Sequence, residues 1–153
     1  MDLILWRHAE AVDGMPDLAR KLTDKGTRQA NDVAAWLRNK LPKKTRIIVS
    51  PAQRALQTAR ALTEDFEVVR EIAPGAGPEA VLAAARWPDE KGAVLVVGHQ
   101  PTLGLVASLL IAGQAMPWSV KKSGIWWLSH RVRGELPQVV LRAVTGPDFV
   151  GGD

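Results

Sequence analysis

The stretch Ala93-Val94-Leu95-Val96-Val97-Gly98-His99 carries the clearest structural signal in the sequence. Residues 93–97 are apolar without interruption, which is typical of a strand that is covered on both faces of a sheet. Gly98 and His99 end the strand, and the residues that follow predict an apolar helix from Thr102 to about Ala112. A buried strand that leads at once into a helix is the unit from which parallel sheets are built.

The same alternation of strands and helices extends outward in both directions. Helices are predicted from Thr23, a suitable N-cap, to Pro42, from Ser50 to Leu62, and over 79–86. Strands are predicted from short apolar or β-branched runs at 3–6, 46–49, 66–69, 124–128 and 138–143. Residues from 146 onward are expected to form a loose tail. The pattern indicates one α/β domain over residues 1–153, with a mostly parallel sheet.

The composition excludes several kinds of chemistry. The chain of 153 residues has no cysteine, so disulfides, thiolate catalysis and cysteine-ligated metals are impossible. No signal peptide or membrane span is recognisable, which favours a cytoplasmic protein without membrane contacts. The formal charge of +4 suits an anionic ligand or an acidic partner, or a solvated basic face.

Charged side chains follow three of the predicted strands, at the point where each strand ends. Arg7 and His8 follow the first strand, Arg54 comes shortly after the second, and His99 follows the strand at 93–97. Ligands of open α/β sheets bind beyond the carboxyl ends of the strands, and if these strands are parallel neighbours, the four side chains converge on one crevice.

Two arginines and two histidines describe a site for an oxyanion. Guanidinium groups match phosphate oxygens in a bidentate manner, and phosphoryl transfer depends mainly on positioning and on neutralising oxygen charge. A neutral imidazole is also a competent nucleophile, and an ordinary histidine pKa of about 6.5 leaves it mostly neutral at pH 7. The four residues therefore predict a phosphate site that could form a phosphohistidine.

Three blocks of sequence resemble the histidine phosphatase superfamily, whose fold is like that of phosphoglycerate mutase. Residues 5–11 (LWRHAEA) resemble its Arg-His-Gly signature, 49–59 (VSPAQRALQTA) its S-P-x-x-R-A-x-Q-T-A block, and 97–101 (VGHQP) its third block. Residues 17–26 (DLARKLTDKG) resemble the D-x-x-R-x-L-T-x-x-G stretch of the SixA-type phosphohistidine phosphatases. The resemblance covers roughly residues 2–145 and implies a three-layer α/β/α arrangement.

The resemblance also implies roles for individual residues. His8 would be the nucleophile that is transiently phosphorylated, and Arg7, Arg54 and His99 would hold the phosphoryl oxygens. Arg20 matches the basic position of the loop and would add to the phosphate site. No metal and no organic cofactor is implied.

This sequence departs from the family pattern in two places. Ala9 replaces the signature glycine, which would add strain if the position needed a positive φ. The chain also lacks the insertion in which larger members carry an acidic proton donor, and Glu10 and Asp17 are the nearest candidates. A weak or missing acid favours a phosphoramidate substrate over an alkyl phosphate.

Four functions are therefore open at the level of sequence. The first is a phosphatase for phosphohistidine on a protein partner, such as a phosphorelay or phosphocarrier protein. The second is a phosphatase for small phosphomonoesters, and the third is a phosphate-binding module without turnover. Nucleic-acid binding is suggested only by the positive charge, with no recognition motif, and we expect no nucleic-acid partner.

Trp126 and Trp127 alternate along a predicted strand, so one is expected to face the core.

Overall fold

Four strands form the parallel part of a sheet in this computed structural model, which describes residues 1–151. These are β1 (Asp2–Arg7), β2 (Thr45–Val49), β3 (Glu67–Val68) and β4 (Ala93–Gly98). Two further strands, β5 (Ile125–Arg133) and β6 (Leu136–Thr145), complete the order β3-β2-β4-β1-β5-β6. Strand β5 runs antiparallel to both β1 and β6, so the sheet is mixed. The expected α/β fold with a mostly parallel sheet is confirmed.

Helices cover both faces of the sheet, and the alternation of side chains along the central strands explains why. The helices are α1 (Asp24–Arg38), α2 (Gln53–Arg60), α3 (Pro78–Ala85), α4 (Thr102–Ala112) and α5 (Pro147–Val150). Leu3 and Leu5 of β1 pack in a core with residues of α3 and α4, whereas Ile4 and Trp6 pack with residues of α1 and α2. Successive strand residues point to opposite faces, so an uninterrupted apolar run needs both layers.

Several element boundaries differ from the sequence prediction. Helix α1 begins after Thr23, whose hydroxyl accepts a hydrogen bond from the Gly26 amide as predicted, but it ends at Arg38 rather than at Pro42. After Arg38 the last turn tightens, since the amides of Lys40 and Leu41 both donate to the Leu37 carbonyl. The predicted loose tail includes the short helix α5, and Val150 packs against the core formed with α1. Residues 152 and 153 lie outside the described part.

The register of the sheet brings the ends of three strands to one level. Strand β4 lies between β1 and β2, with Val97 opposite both Trp6 and Val49. The amide of His8 donates to the Gly98 carbonyl, and that of Ser50 donates to the Val97 carbonyl. The residues that follow these strands therefore emerge side by side at the carboxyl edge.

No helix in residues 1–151 is long and apolar enough to cross a membrane.

Candidate active site

The four side chains predicted to converge do meet at the carboxyl edge of the sheet. The ring centres of His8 and His99 lie 5.1 Å apart. Arg54, in the first turn of α2, places its Nε 3.4 Å from Nε2 of His8. His8, His99 and Arg54 are buried, while Arg7 is half-buried at the end of β1. The strand ends thus assemble two imidazoles and two guanidinium groups in one small volume.

The ring of His8 is held in one orientation by a backbone carbonyl. Its Nδ1 lies 2.8 Å from the Ala9 oxygen, and a carbonyl can only accept, so Nδ1 carries the proton. Nε2 then keeps its electron pair, which accepts a hydrogen bond from Nε of Arg54 at 3.4 Å. Burial, together with the charges of Arg54 and Arg7, lowers the pKa of His8 to about 4, so the ring is neutral at pH 7. A neutral imidazole with an unprotonated Nε2 is a competent nucleophile.

His99 is oriented by the hydroxyl of Ser50, which lies 2.7 Å from its Nε2. The same hydroxyl accepts a hydrogen bond from the Ala52 amide, so its proton is best satisfied by donation to His99. Nδ1 of His99 then carries the ring proton, and this buried atom has no partner in residues 1–151. Burial, with a smaller contribution from His8, lowers the pKa of His99 to about 3. His99 therefore offers one N–H donor without a positive charge.

Arg7 contributes a guanidinium that is only partly satisfied by the protein. One terminal nitrogen donates to the Val120 carbonyl at 2.9 Å, while the buried Nε has no partner among the described residues. Burial lowers the pKa of Arg7, yet a guanidinium stays charged in proteins. A buried charge with an unpaired donor indicates a place for an anion.

The loop between β1 and α1 folds over the site through Asp17. Its carboxylate lies 3.2 Å from a terminal nitrogen of Arg54 and 3.0 Å from one of Arg20, and its carbonyl accepts from Arg54. The hydrogen bond from Arg20, followed by that from Arg54, lowers the pKa of Asp17, which is therefore ionised at neutral pH. Arg20 also donates to the Val12 carbonyl, and its charge reaches His8. Asp17 thus occupies N–H donors of Arg54 that an oxyanion would use.

Glu10 is directed away from the imidazoles, toward the start of α1. The Thr23 hydroxyl donates to its carboxylate at 2.8 Å, and Lys122 lies 3.7 Å from it. The hydrogen bond from Thr23 is the main cause of the lowered pKa of Glu10. The lowered pKa values favour the ionised form of both acidic residues near His8.

Ala9 fits its position without the freedom of a glycine. It is fully buried, and positive φ among the non-glycine residues of 1–151 occurs only at Arg86 and Ser123. The strain that a missing signature glycine could cause is therefore absent from the backbone of Ala9. A true close approach occurs at Gly26 instead, because a Cβ there would collide with the Glu10 carbonyl.

The block at 49–59 supplies supporting residues to which sequence reasoning gave no role. The Thr58 hydroxyl accepts from the Ala9 amide and donates to the Arg54 carbonyl, which ties the nucleophile loop to α2. The Gln57 amide oxygen accepts from the Leu22 amide. Ser50 orients His99. All three lie inside the S-P-x-x-R-A-x-Q-T-A block, so the motif could have indicated these supporting residues.

No group of three or more His, Asp or Glu residues in 1–151 is arranged to hold a metal ion.

Comparison with known proteins agrees with this geometry. The model of the histidine phosphatase superfamily (branch 1) matches residues 3–75. The phosphohistidine phosphatase SixA of Escherichia coli strain K12 is 30% identical over 126 residues, which cover 76% of this chain and 78% of that protein. The chain belongs to the histidine phosphatase superfamily, and the protein is a phosphatase.

Solved structures place it more finely within the superfamily. The protein histidine phosphatase SixA in complex with tungstate superposes with a TM-score of 0.80 at 26% identity, covering 97% of this chain and 98% of that one. The phosphoserine phosphatase of Entamoeba histolytica in complex with 3-phosphoglyceric acid shares the fold, with a TM-score of 0.68, 19% identity and coverage of 95% and 96%. The chain is thus a SixA-type member of a fold that serves several phosphorylated substrates.

Proposed function

We propose that this phosphatase hydrolyses phosphohistidine on a protein partner, such as a phosphorelay or phosphocarrier protein, in the cytoplasm. The observation that carries the proposal is the pairing of a neutral His8 with two carboxylates, Glu10 and Asp17, that are held ionised. An alkyl phosphate needs a general acid because its alkoxide is a poor leaving group. The ring of phosphohistidine can instead take a proton from solvent near neutral pH and leave as neutral imidazole, without an acid from the protein. The SixA relative supports the same substrate class.

In the first step, Nε2 of His8 attacks the phosphorus atom of the substrate. The P–N bond to the substrate imidazole breaks, and that imidazole leaves neutral when its other ring nitrogen carries a proton from water. Arg7 and Arg54 neutralise the phosphoryl oxygens, and Nδ1–H of His99 donates to one of them. The transition state gains most from these donors because burial removes competing water.

In the second step, water hydrolyses phospho-His8. Nδ1–H remains bonded to the Ala9 carbonyl, so the phosphorylated ring is an imidazolium and departs as a neutral imidazole. Water forms the new P–O bond, the P–N bond to His8 breaks, and the products are inorganic phosphate and the original ring. Arg20 assists through its charge and through Asp17 rather than by direct contact with His8.

Side-by-side turnover tests the proposal. A histidine-phosphorylated phosphocarrier protein is compared with phosphoserine, a sugar phosphate and p-nitrophenyl phosphate, with His8→Asn as the inactive control. We expect kcat/KM for phosphohistidine to exceed that for each monoester by at least about 100-fold, the scale of a missing general acid. A preference for a monoester would favour the small-molecule alternative, and tungstate binding without any turnover would favour a binding module.

A further inference from the structure

We propose that a cleft beside Arg7 binds an acidic segment, with an apolar side chain, that flanks the phosphorylated histidine of the partner. This inference rests on the proposed function and deepens it. The cleft, called the flanking cleft here, is a cavity of about 530 Å³ whose lining includes the following six residues: Arg7, Lys25, Lys121, Trp126, Val144 and Phe149.

The flanking cleft continues the phosphate site along the same edge of the sheet. Arg7 ends β1, and its charge acts on both His8 and His99 while its side chain also lines the cleft. Ile125 begins β5 opposite Trp6, and Thr145 ends β6 opposite Ile125. The cleft therefore shares Arg7 with the phosphate site and extends from it over β5 and β6.

The charge of the flanking cleft selects for an acidic occupant. Lys25, Lys121 and Lys122 line it together with Arg7, against the single acid Asp148. Lys122 is within 3.7 Å of Glu10, whereas Lys25 and Lys121 have no carboxylate within 4.0 Å among residues 1–151. Both of these lysines are exposed. Two unpaired cations beside the phosphate site attract carboxylates of the bound substrate and repel a basic one.

The floor and one wall of the cleft are apolar. Trp126 is half-buried, in contrast to the buried Trp127 that fills the core on the other face. Val144 is 51% exposed and Phe149 is 87% exposed. An exposed aromatic ring beside a half-buried indole, inside a basic rim, is typical of a surface that another molecule covers. A cavity of about 530 Å³ has room for two or three side chains of a protein segment.

The test compares two synthetic peptides of equal length that carry phosphohistidine. In one, the neighbouring residues are glutamate and leucine; in the other, they are glutamine and serine. We expect the wild-type enzyme to hydrolyse the acidic–apolar peptide with a kcat/KM about tenfold higher, chiefly through KM. The double variant Lys25→Glu/Lys121→Glu should lose this preference. In the variant, attraction between the two lysines and the glutamates of the peptide is replaced by repulsion. Phe149→Ala should raise KM for the leucine-containing peptide severalfold.

A matched control lies at the opposite edge of the sheet. Lys43 and Lys44, just before β2, are equally exposed, and Lys43→Glu/Lys44→Glu makes the same change in net charge. This control should keep the wild-type preference, and hydrolysis of free phosphoramidate should stay within about twofold in every variant.

The possible results separate the two proposals. If neither phosphohistidine peptide is hydrolysed while phosphomonoesters are, both the proposed function and the docking inference fail. If both peptides are hydrolysed equally well, or if the Lys43/Lys44 control loses the preference to the same extent, the docking inference fails and the proposed function stands.

Discussion

The Ser50 hydroxyl lies 2.7 Å from Nε2 of His99 and joins the end of β2 to the end of β4. The same oxygen accepts from the Ala52 amide, so it has one proton to give, and His99 receives it. This one contact decides which nitrogen of His99 carries a proton into the site. Ser50 is thus a positioning residue for a group that would contact the phosphoryl oxygens.

Replacement of Ser50 by alanine should lower kcat about tenfold, the effect of one lost hydrogen bond of roughly 1.4 kcal/mol in the transition state. The ¹⁵N chemical shifts of the His99 ring should change from those of an Nδ1–H tautomer to a mixture, which a purely structural role would not cause. Ser129→Ala is the control, because Ser129 is also buried but its hydroxyl donates to Asp2 at the start of β1, away from the site. An unchanged His99 tautomer in Ser50→Ala would contradict this assignment.

The stability of the protein should fall as the pH falls from about 6.5 to 5. The pKa values of His8 and His99 are lowered to about 4 and about 3, so in this range the unfolded chain takes up protons at both rings and the folded protein does not. Each histidine then costs about 1.4 kcal/mol of unfolding free energy per pH unit. The carboxylates with lowered pKa values contribute only at more acidic pH, so this range isolates the histidines.

Urea denaturation at pH 7, 6 and 5 measures this dependence. The wild-type free energy of unfolding should decrease steeply between pH 6 and 5, and the double variant His8→Asn/His99→Asn should show a much flatter dependence. Equal slopes in the two proteins would mean that the rings are not buried in their neutral form.

Asp17 competes with the substrate for Arg54, and its removal should favour anions. In Asp17→Asn the carboxylate charge is lost while the shape is kept, so Arg54 and Arg20 are free to attract an oxyanion. We expect tungstate to bind about three- to tenfold more tightly by isothermal titration calorimetry, with turnover of phosphohistidine retained. Glu64→Gln, at an exposed ion pair with Arg60 on α2, is a matched control that should leave tungstate binding unchanged.

If Asp17 were the proton donor instead, Asp17→Asn would behave differently. Turnover would fall by about two orders of magnitude, and the loss would be largest for substrates with the poorest leaving groups. Such a result would contradict the view that its carboxylate is ionised in the active enzyme.

The parts of this protein that could be predicted from sequence are those fixed by local pattern. Residues 93–97 fit a strand covered on both faces, and parallel strands share a carboxyl edge, so the pattern predicts that His8 and His99 lie at the same edge. That β1 and β4 are neighbours, which brings the two rings together, is shown only by the structure. Thr23 could be placed as a helix cap because its hydroxyl acts within one turn.

Contacts between distant segments were beyond the reach of such patterns. The pairing of Asp17 with Arg54 depends on how the loop folds over the sheet edge, and nothing in residues 9–22 alone fixes that path. Strand β5 extends further than predicted, to Arg133, and β6 begins earlier, at Leu136. These outer ends pair only with each other, away from the core, so they show no apolar pattern in the sequence. The flanking cleft, built from α1, β5, β6 and α5, was invisible for the same reason.

The phosphorylated enzyme intermediate tests the central claim most directly. The enzyme is mixed with a histidine-phosphorylated protein or phosphoramidate, quenched in alkali within milliseconds to seconds, and the modified residue is mapped by mass spectrometry. We predict an acid-labile, alkali-stable phosphate on His8, and its absence in His8→Asn together with the loss of turnover. Phosphate on another residue, or wild-type turnover by His8→Asn, would contradict the role of His8 as the nucleophile.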